Sequence, residues 1–186
     1  MFAAGLLLLV PVPSGAQVAV EVIGHTGAMK AIADEGDLGT FVPFGGSVAV
    51  LPTSKIAFEL DFQVGHVRQQ GAAETRSWRR LHLTPGIFYR WRAQERISLF
   101  FGGGLGFHEE RIRLEIPPGS PAPPNSTEVQ LGLYDTARLK GLALNFRGGA
   151  GVRLNDRIFI RPEAALWFAN GPRITSGVRI GLGYRF

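Results

Sequence analysis

Nine consecutive residues, Ile56 to Val64, confine this chain to a sheet: Ile56, Phe58, Leu60, Phe62 and Val64 alternate without a break with Ala57, Glu59, Asp61 and Gln63. Successive side chains on a strand point to opposite faces, so this order yields one wholly apolar face and one small or acidic face. On a helix the same residues would scatter around the axis and leave no apolar stripe. Period-two segments recur at Val18–Gly27, Thr40–Leu51, Leu81–Trp91, Ile97–Phe107, Leu142–Leu154, Ile158–Phe168 and Val178–Phe186, which makes eight expected strands. The 25 glycines and 13 phenylalanines beside two methionines suit strands and close backbone approach better than helices. At 186 residues the chain is expected to form a single domain.

The connections alternate in character. Pro52–Lys55 (PTSK), Arg92–Arg96 (RAQER) and Asn155–Arg157 (NDR) are short turns by composition. In alternation with them come Ala28–Leu38, expected to be a loop with a helical turn, His66–Arg80, expected to be a basic loop, and an irregular region from Glu109 to about Lys140. At the centre of that last region, Pro117–Ser126 (PPGSPAPPNS) cannot pair in a sheet because proline lacks the donor.

Alternation does not say which face is inside, since a soluble up-and-down barrel such as a lipocalin alternates equally well. Volume decides. An eight-stranded barrel has an interior only just filled by side chains, and the bulky faces here carry most of the Phe, Leu, Ile and Val. The opposite faces carry Gly102, Gly104, Gly106, Gly149, Gly151, Gly181 and Gly183, which leave room for long ionised side chains. The bulky face is therefore expected to meet lipid. The lumen then receives Glu21, Glu59, Asp61 and Glu163 together with Arg90, Arg147, Arg153, Arg161, Arg179 and Arg185. Unpaired charges in that space would be prohibitive, so a network of Arg–carboxylate pairs is predicted. Tyr89, Trp91, Tyr184 and Phe186 fall near the short-turn ends on the lipid face, where an aromatic girdle belongs.

Both ends of the chain carry further signals. Met1–Gln17 holds a short apolar run, Leu6–Val10, followed by prolines and small residues, and Ser14 and Ala16 suit a signal peptidase; residues 1–16 are expected to be a signal peptide and 17–186 the barrel domain. A positively charged n-region is missing, because no Lys or Arg precedes Lys30. The last nine residues, Val178–Phe186 (VRIGLGYRF), alternate to the final position. This stretch resembles the carboxy-terminal insertion signal of bacterial outer-membrane β-barrels, with Arg179, Gly181, Tyr184 and Phe186 in the polar, glycine and two aromatic places. With the short and long connections in alternation, the mature chain resembles the small barrels of the OmpA-like outer-membrane family. The resemblance implies an eight-stranded antiparallel up-and-down transmembrane barrel, monomeric, in the outer membrane of a Gram-negative envelope. It also implies recognition by the barrel assembly machinery, and a scaffold role in envelope integrity, surface contact or adhesion.

Residues with catalytic potential are few. No cysteine is present, which removes disulfides and thiolate metal sites. The four histidines lie in separate segments, and His108-Glu109 fails the zinc-protease pattern because position 112 is Ile. His82 and Ser98 could approach each other on adjacent strands, the one arrangement that a lipid-modifying barrel enzyme could use. A narrow channel or carrier for small or apolar solutes is the other alternative to a scaffold. No catalytic residue, cofactor or metal is expected. In the basic segment Arg68, Arg76, Arg79 and Arg80, with Trp78 among them, are candidates to meet phosphorylated lipopolysaccharide. Nucleic acid is not an expected partner despite a net charge of +5, because the aromatics lie on the apolar face rather than among the basic residues.

Overall fold

The structure, a computed structural model, describes residues 18–33, 36–70, 75–92, 95–115, 134–169 and 173–186. It is a closed all-antiparallel barrel of eight strands, β1 (Ala19–Ala33), β2 (Gly36–Leu51), β3 (Ile56–Gln70), β4 (Thr75–Trp91), β5 (Ile97–Glu115), β6 (Tyr134–Arg153), β7 (Ile158–Ala169) and β8 (Arg173–Arg185). Each strand pairs with its chain neighbour, and β1 closes the wall on β8 from Glu21↔Arg185 to Ile32↔Ile174. Closure gives every strand a ladder partner on each side, the condition for a sheet to cross a bilayer. The eight-stranded up-and-down reading is met. The proposed signal peptide lies outside the described residues.

The strands run further than the apolar alternation does. Of the segment read as a basic loop, residues 66–70 and 75–80 are strand, with β3 and β4 paired out to Gln70↔Thr75. Likewise β5 and β6 stay paired out to Glu115↔Tyr134, and β1 continues to Ala33 where a loop was expected. The reason is physical. Ladder hydrogen bonds are indifferent to side-chain polarity, whereas the alternation that marks a strand needs an apolar surroundings on one side. At ~3.3 Å per residue, the 20 residues of β6 greatly exceed an apolar band ~25 Å tall. Strand ends that leave the membrane lose their sequence signature and keep their structure.

The two faces segregate as volume required. Outward lie Phe44, Phe101, Val178 and Leu182, each more than 60% exposed. An apolar wall on this scale is stable only against lipid. Tyr89, Trp91, Tyr184 and Phe186 lie at the short-turn end, with Tyr184 and Phe186 rings 4.8 Å apart and Tyr89 5.5 Å from Phe101. Glycine is required where lumen rings lie flat on the wall. A Cβ on Gly183 would stand 2.2 Å from the Phe159 ring, and one on Gly65 would stand 2.3 Å from Phe41.

Candidate functional site

The lumen is stacked in layers along the barrel axis. Nearest the short turns, Ala49, Leu51, Ala57, Phe88 and Phe100 form an apolar floor. Toward the other end, Met29, Ala31, Phe41, Val67, Trp78, Ala165 and Trp167 form an apolar ceiling. Between them sits the ionic layer.

Six charged groups dominate that layer: the carboxylates of Glu59, Asp61 and Glu163 and the guanidinium groups of Arg147, Arg161 and Arg179. Their charges cancel. Arg147 Nη1 donates to Glu59 Oε1 at 2.8 Å and approaches Asp61 Oδ1 at 3.4 Å, while Arg161 Nη1 donates to Glu59 Oε2 at 2.7 Å. Arg179 donates from Nε to Glu163 at 2.6 Å, and its Nη1 reaches Asp61 Oδ2 at 3.2 Å and Gln63 Oε1 at 2.8 Å. His25 Nε2 lies 2.9 Å from Asp61 Oδ1. The cations also use the floor: Arg161 stands over the Phe100 ring at 4.0 Å and Arg147 over Phe88 at 4.3 Å. A guanidinium that is sparsely hydrated pairs well with such faces.

Two smaller ion clusters flank the stack. At the short-turn mouth Glu21 accepts from Arg90 Nη1 and from Arg185 Nε, both at 2.9 Å, with Arg153 half-exposed beside them. Within the ceiling Arg80 donates from Nε and Nη2 to Glu110 at 3.2 Å and from Nη1 to Thr175 at 2.8 Å. The space left beside Phe88 and Arg161 is about 20 Å³, and beside His25 and Arg147 there is essentially none. A single water needs ~10–15 Å³. This lumen is packed.

No family model matches the sequence, and no curated protein matches it by sequence. Solved structures do match the fold. Ail, the attachment invasion locus protein of Yersinia pestis, in complex with the heparin analogue sucrose octasulfate, superposes with a TM-score of 0.63 at 14% identity, over 91% of this chain and 98% of that one. Neisserial surface protein A gives 0.64 at 11% identity, covering 91% and 97%. The N-terminal β-barrel domain of Pseudomonas aeruginosa OprF gives 0.53 at 13%, covering 90% and 97%.

The fold is that of the small outer-membrane barrels. Within it, the residues singled out from the sequence divide by face. Arg68 and Arg79 point outward and are exposed, on β3 and β4 near the upper limit of the apolar wall. Trp78 and Arg80 do not join them. Both face the lumen, 4% and 2% exposed, because the segment is a strand and alternate residues must turn inward. The Arg76 side chain lies outside the described residues. His82 and Ser98 stay apart: His82 faces His108 across the β4–β5 ladder, its ring 4.8 Å away, while Ser98 donates to the Gly151 carbonyl. The ten strand steps from Ser98 to His108 separate the two by roughly 33 Å. Among the described residues, no group of three or more His, Asp or Glu could hold a metal.

Arg80, Glu110, His25 and His108 complete the lumen and were missing from the expected charge network. The available signal was parity. Counting by two from His82 along β4 puts Arg80 and Trp78 on the same inward face.

Proposed function

We propose that this protein is a monomeric scaffold of the outer membrane, holding the loops of its long-connection end at the cell surface and neither conducting solutes nor catalysing a reaction. The packed lumen carries this reading. A charge-balanced layer sealed between two apolar clusters offers no water-filled path, and opening it would strand buried ions. The surface-contact side of the reading draws support from the fold shared with an attachment invasion locus protein and a neisserial surface protein.

The carboxy-terminal strand serves assembly in this reading. Arg179 and Gly181 face inward while Tyr184 and Phe186 lie at the membrane boundary, so Phe186 is open to the assembly machinery. Deleting Phe186 should lower the outer-membrane level several-fold while changes in residues 116–133 leave it unaltered; equal levels would remove that role.

The main experiment is planar-bilayer recording on the full chain, after fractionation to the outer membrane and a heat-modifiable shift in gel mobility. Silent membranes are expected. Reproducible single-channel steps would replace the scaffold with a channel.

A further inference from the structure

Among the described residues, the wall opens between β2 and β3 while both strands continue. β2 and β3 are paired only from Val50↔Phe58 to Val42↔His66, although β2 begins at Gly36 and β3 continues to Gln70. Above Val42 and His66 each strand follows its other neighbour, β2 staying with β1 and β3 with β4. The causes are local. Pro43, opposite Gly65, has no N–H for the ladder, and its carbonyl accepts from Thr26 Oγ1 on β1 at 2.9 Å. Higher up, the β1–β2 register slips between Ala31 and Ile32, beside Gly39 with φ 98°, a left-handed conformation suited to glycine. Such a bulge bends its strand, here just above the point where β2 leaves β3.

The splay leaves a groove of about 480 Å³ on the outer wall. Val42, Phe44 and Val64 line its lower part; Thr40, His66 and Arg68 line its upper part. Its floor includes Phe41 and Val67, members of the apolar ceiling of the lumen. On β3 the outward side chains are apolar from Ile56 to Val64 and then change to His66 and Arg68, so the groove straddles the boundary between hydrocarbon and headgroups. Arg79 stands opposite His66 on β4 and widens the cationic side.

Resting on the outer-membrane reading above, we infer that this groove seats one molecule of a phosphorylated glycolipid of the outer leaflet. One hydrocarbon chain lies along the outward side chains of Val42, Phe44 and Val64, and a phosphate meets Arg68 and Arg79. The groove's volume falls within the range of ligand sites. Charge complementarity selects the anion, and an Arg fork matches phosphate oxygens. The position on the long-connection side selects the outer leaflet.

Native mass spectrometry of the full chain, folded in detergent and titrated with purified lipid A, tests this. One lipid A retained per barrel is expected, weakened roughly tenfold or more by Arg68→Glu or by Val64→Trp, which fills the groove, and unchanged by Lys140→Gln on β6. Arg68→Gln, a milder change, should fall between. A heat-modifiable band, checked first, shows that each variant has folded; a barrel that fails to fold in detergent would count against the membrane reading itself. Folded variants that retain lipid A as wild type does would overturn the seat alone. Equal retention of phosphatidylglycerol would overturn the choice of glycolipid.

Discussion

The inner and outer faces of the same strands obey opposite rules. On β3, Phe58, Leu60 and Phe62 face lipid while Glu59 and Asp61, one step away, are 3% and 0% exposed in the lumen. In a soluble domain apolar burial drives assembly and charge decorates the surface. Here the surroundings of the wall are as apolar as the wall, so its side chains gain little by leaving them. Specific attraction must come from the closed ladder and from the interior. The lumen is the part of this protein in which single substitutions should be felt most.

The sharpest way to break that comparison is to unbalance the ionic layer. Arg147→Met removes a cation shared by Glu59 and Asp61, leaving three carboxylates with two guanidinium groups. The expected loss is about 3–5 kcal/mol, read from urea unfolding in lipid vesicles. Adding Glu59→Met restores two of each sign, and most of the loss should return. A double variant as weak as the single one would show that packing, rather than charge balance, governs the layer.

A second test applies the same residue type to the other face. Arg179 is 2% exposed and satisfied by Glu163, Asp61 and Gln63. Ile180, its neighbour, faces lipid and is 53% exposed. Ile180→Arg should destabilise the barrel by about 2–4 kcal/mol, the range for a cation near the bilayer midplane. A negligible change in the same vesicle assay would place Ile180 at the membrane boundary and redraw the apolar band.

Much of this was legible in the sequence because, within the membrane, alternation records the strand and its two faces, and the volume of a narrow barrel then assigns the glycine-rich, charged face to the lumen. Glu59, Asp61, Arg147, Arg161, Glu163 and Arg179 were all readable from parity. Beyond the apolar band that contrast disappears. The ends of β3 and β4 looked like a loop because Arg68 and Arg79 occupy outward positions that carry Phe or Leu lower down. Arg80 and Trp78 were accordingly misplaced. The splay between β2 and β3 was illegible for a different reason: a lost ladder is a relation between strands, and Pro43 alone does not say where its neighbour goes.

A smaller effect sharpens the account of how the lumen is filled. Phe159 lies against Gly183, so Gly183→Ala should cost about 1–3 kcal/mol through overpacking. Phe159→Leu in the same chain should recover part of that loss. If Gly183→Ala is silent in urea unfolding, the ring has room to move and the lumen is looser than its packing indicates.

The smallest effect bears most directly on what the interior contributes. Arg92 and Glu95 form an ion pair at 3.5 Å in the second short turn, with both side chains more than half exposed. Arg90 and Glu21, two residues away along β4 and across the mouth, form one at 2.9 Å with both side chains at most 10% exposed. The chemical groups are the same in both pairs. Solvent screening and the entropy of holding long side chains reduce the exposed pair to ~0–0.5 kcal/mol, so Glu95→Gln should leave the unfolding midpoint almost unchanged. Glu21→Gln, which also deprives Arg185 of its partner, should lower it clearly. Equal responses would mean that water reaches the mouth freely, and the boundary of the packed lumen would then move inward to the floor formed by Phe88 and Phe100.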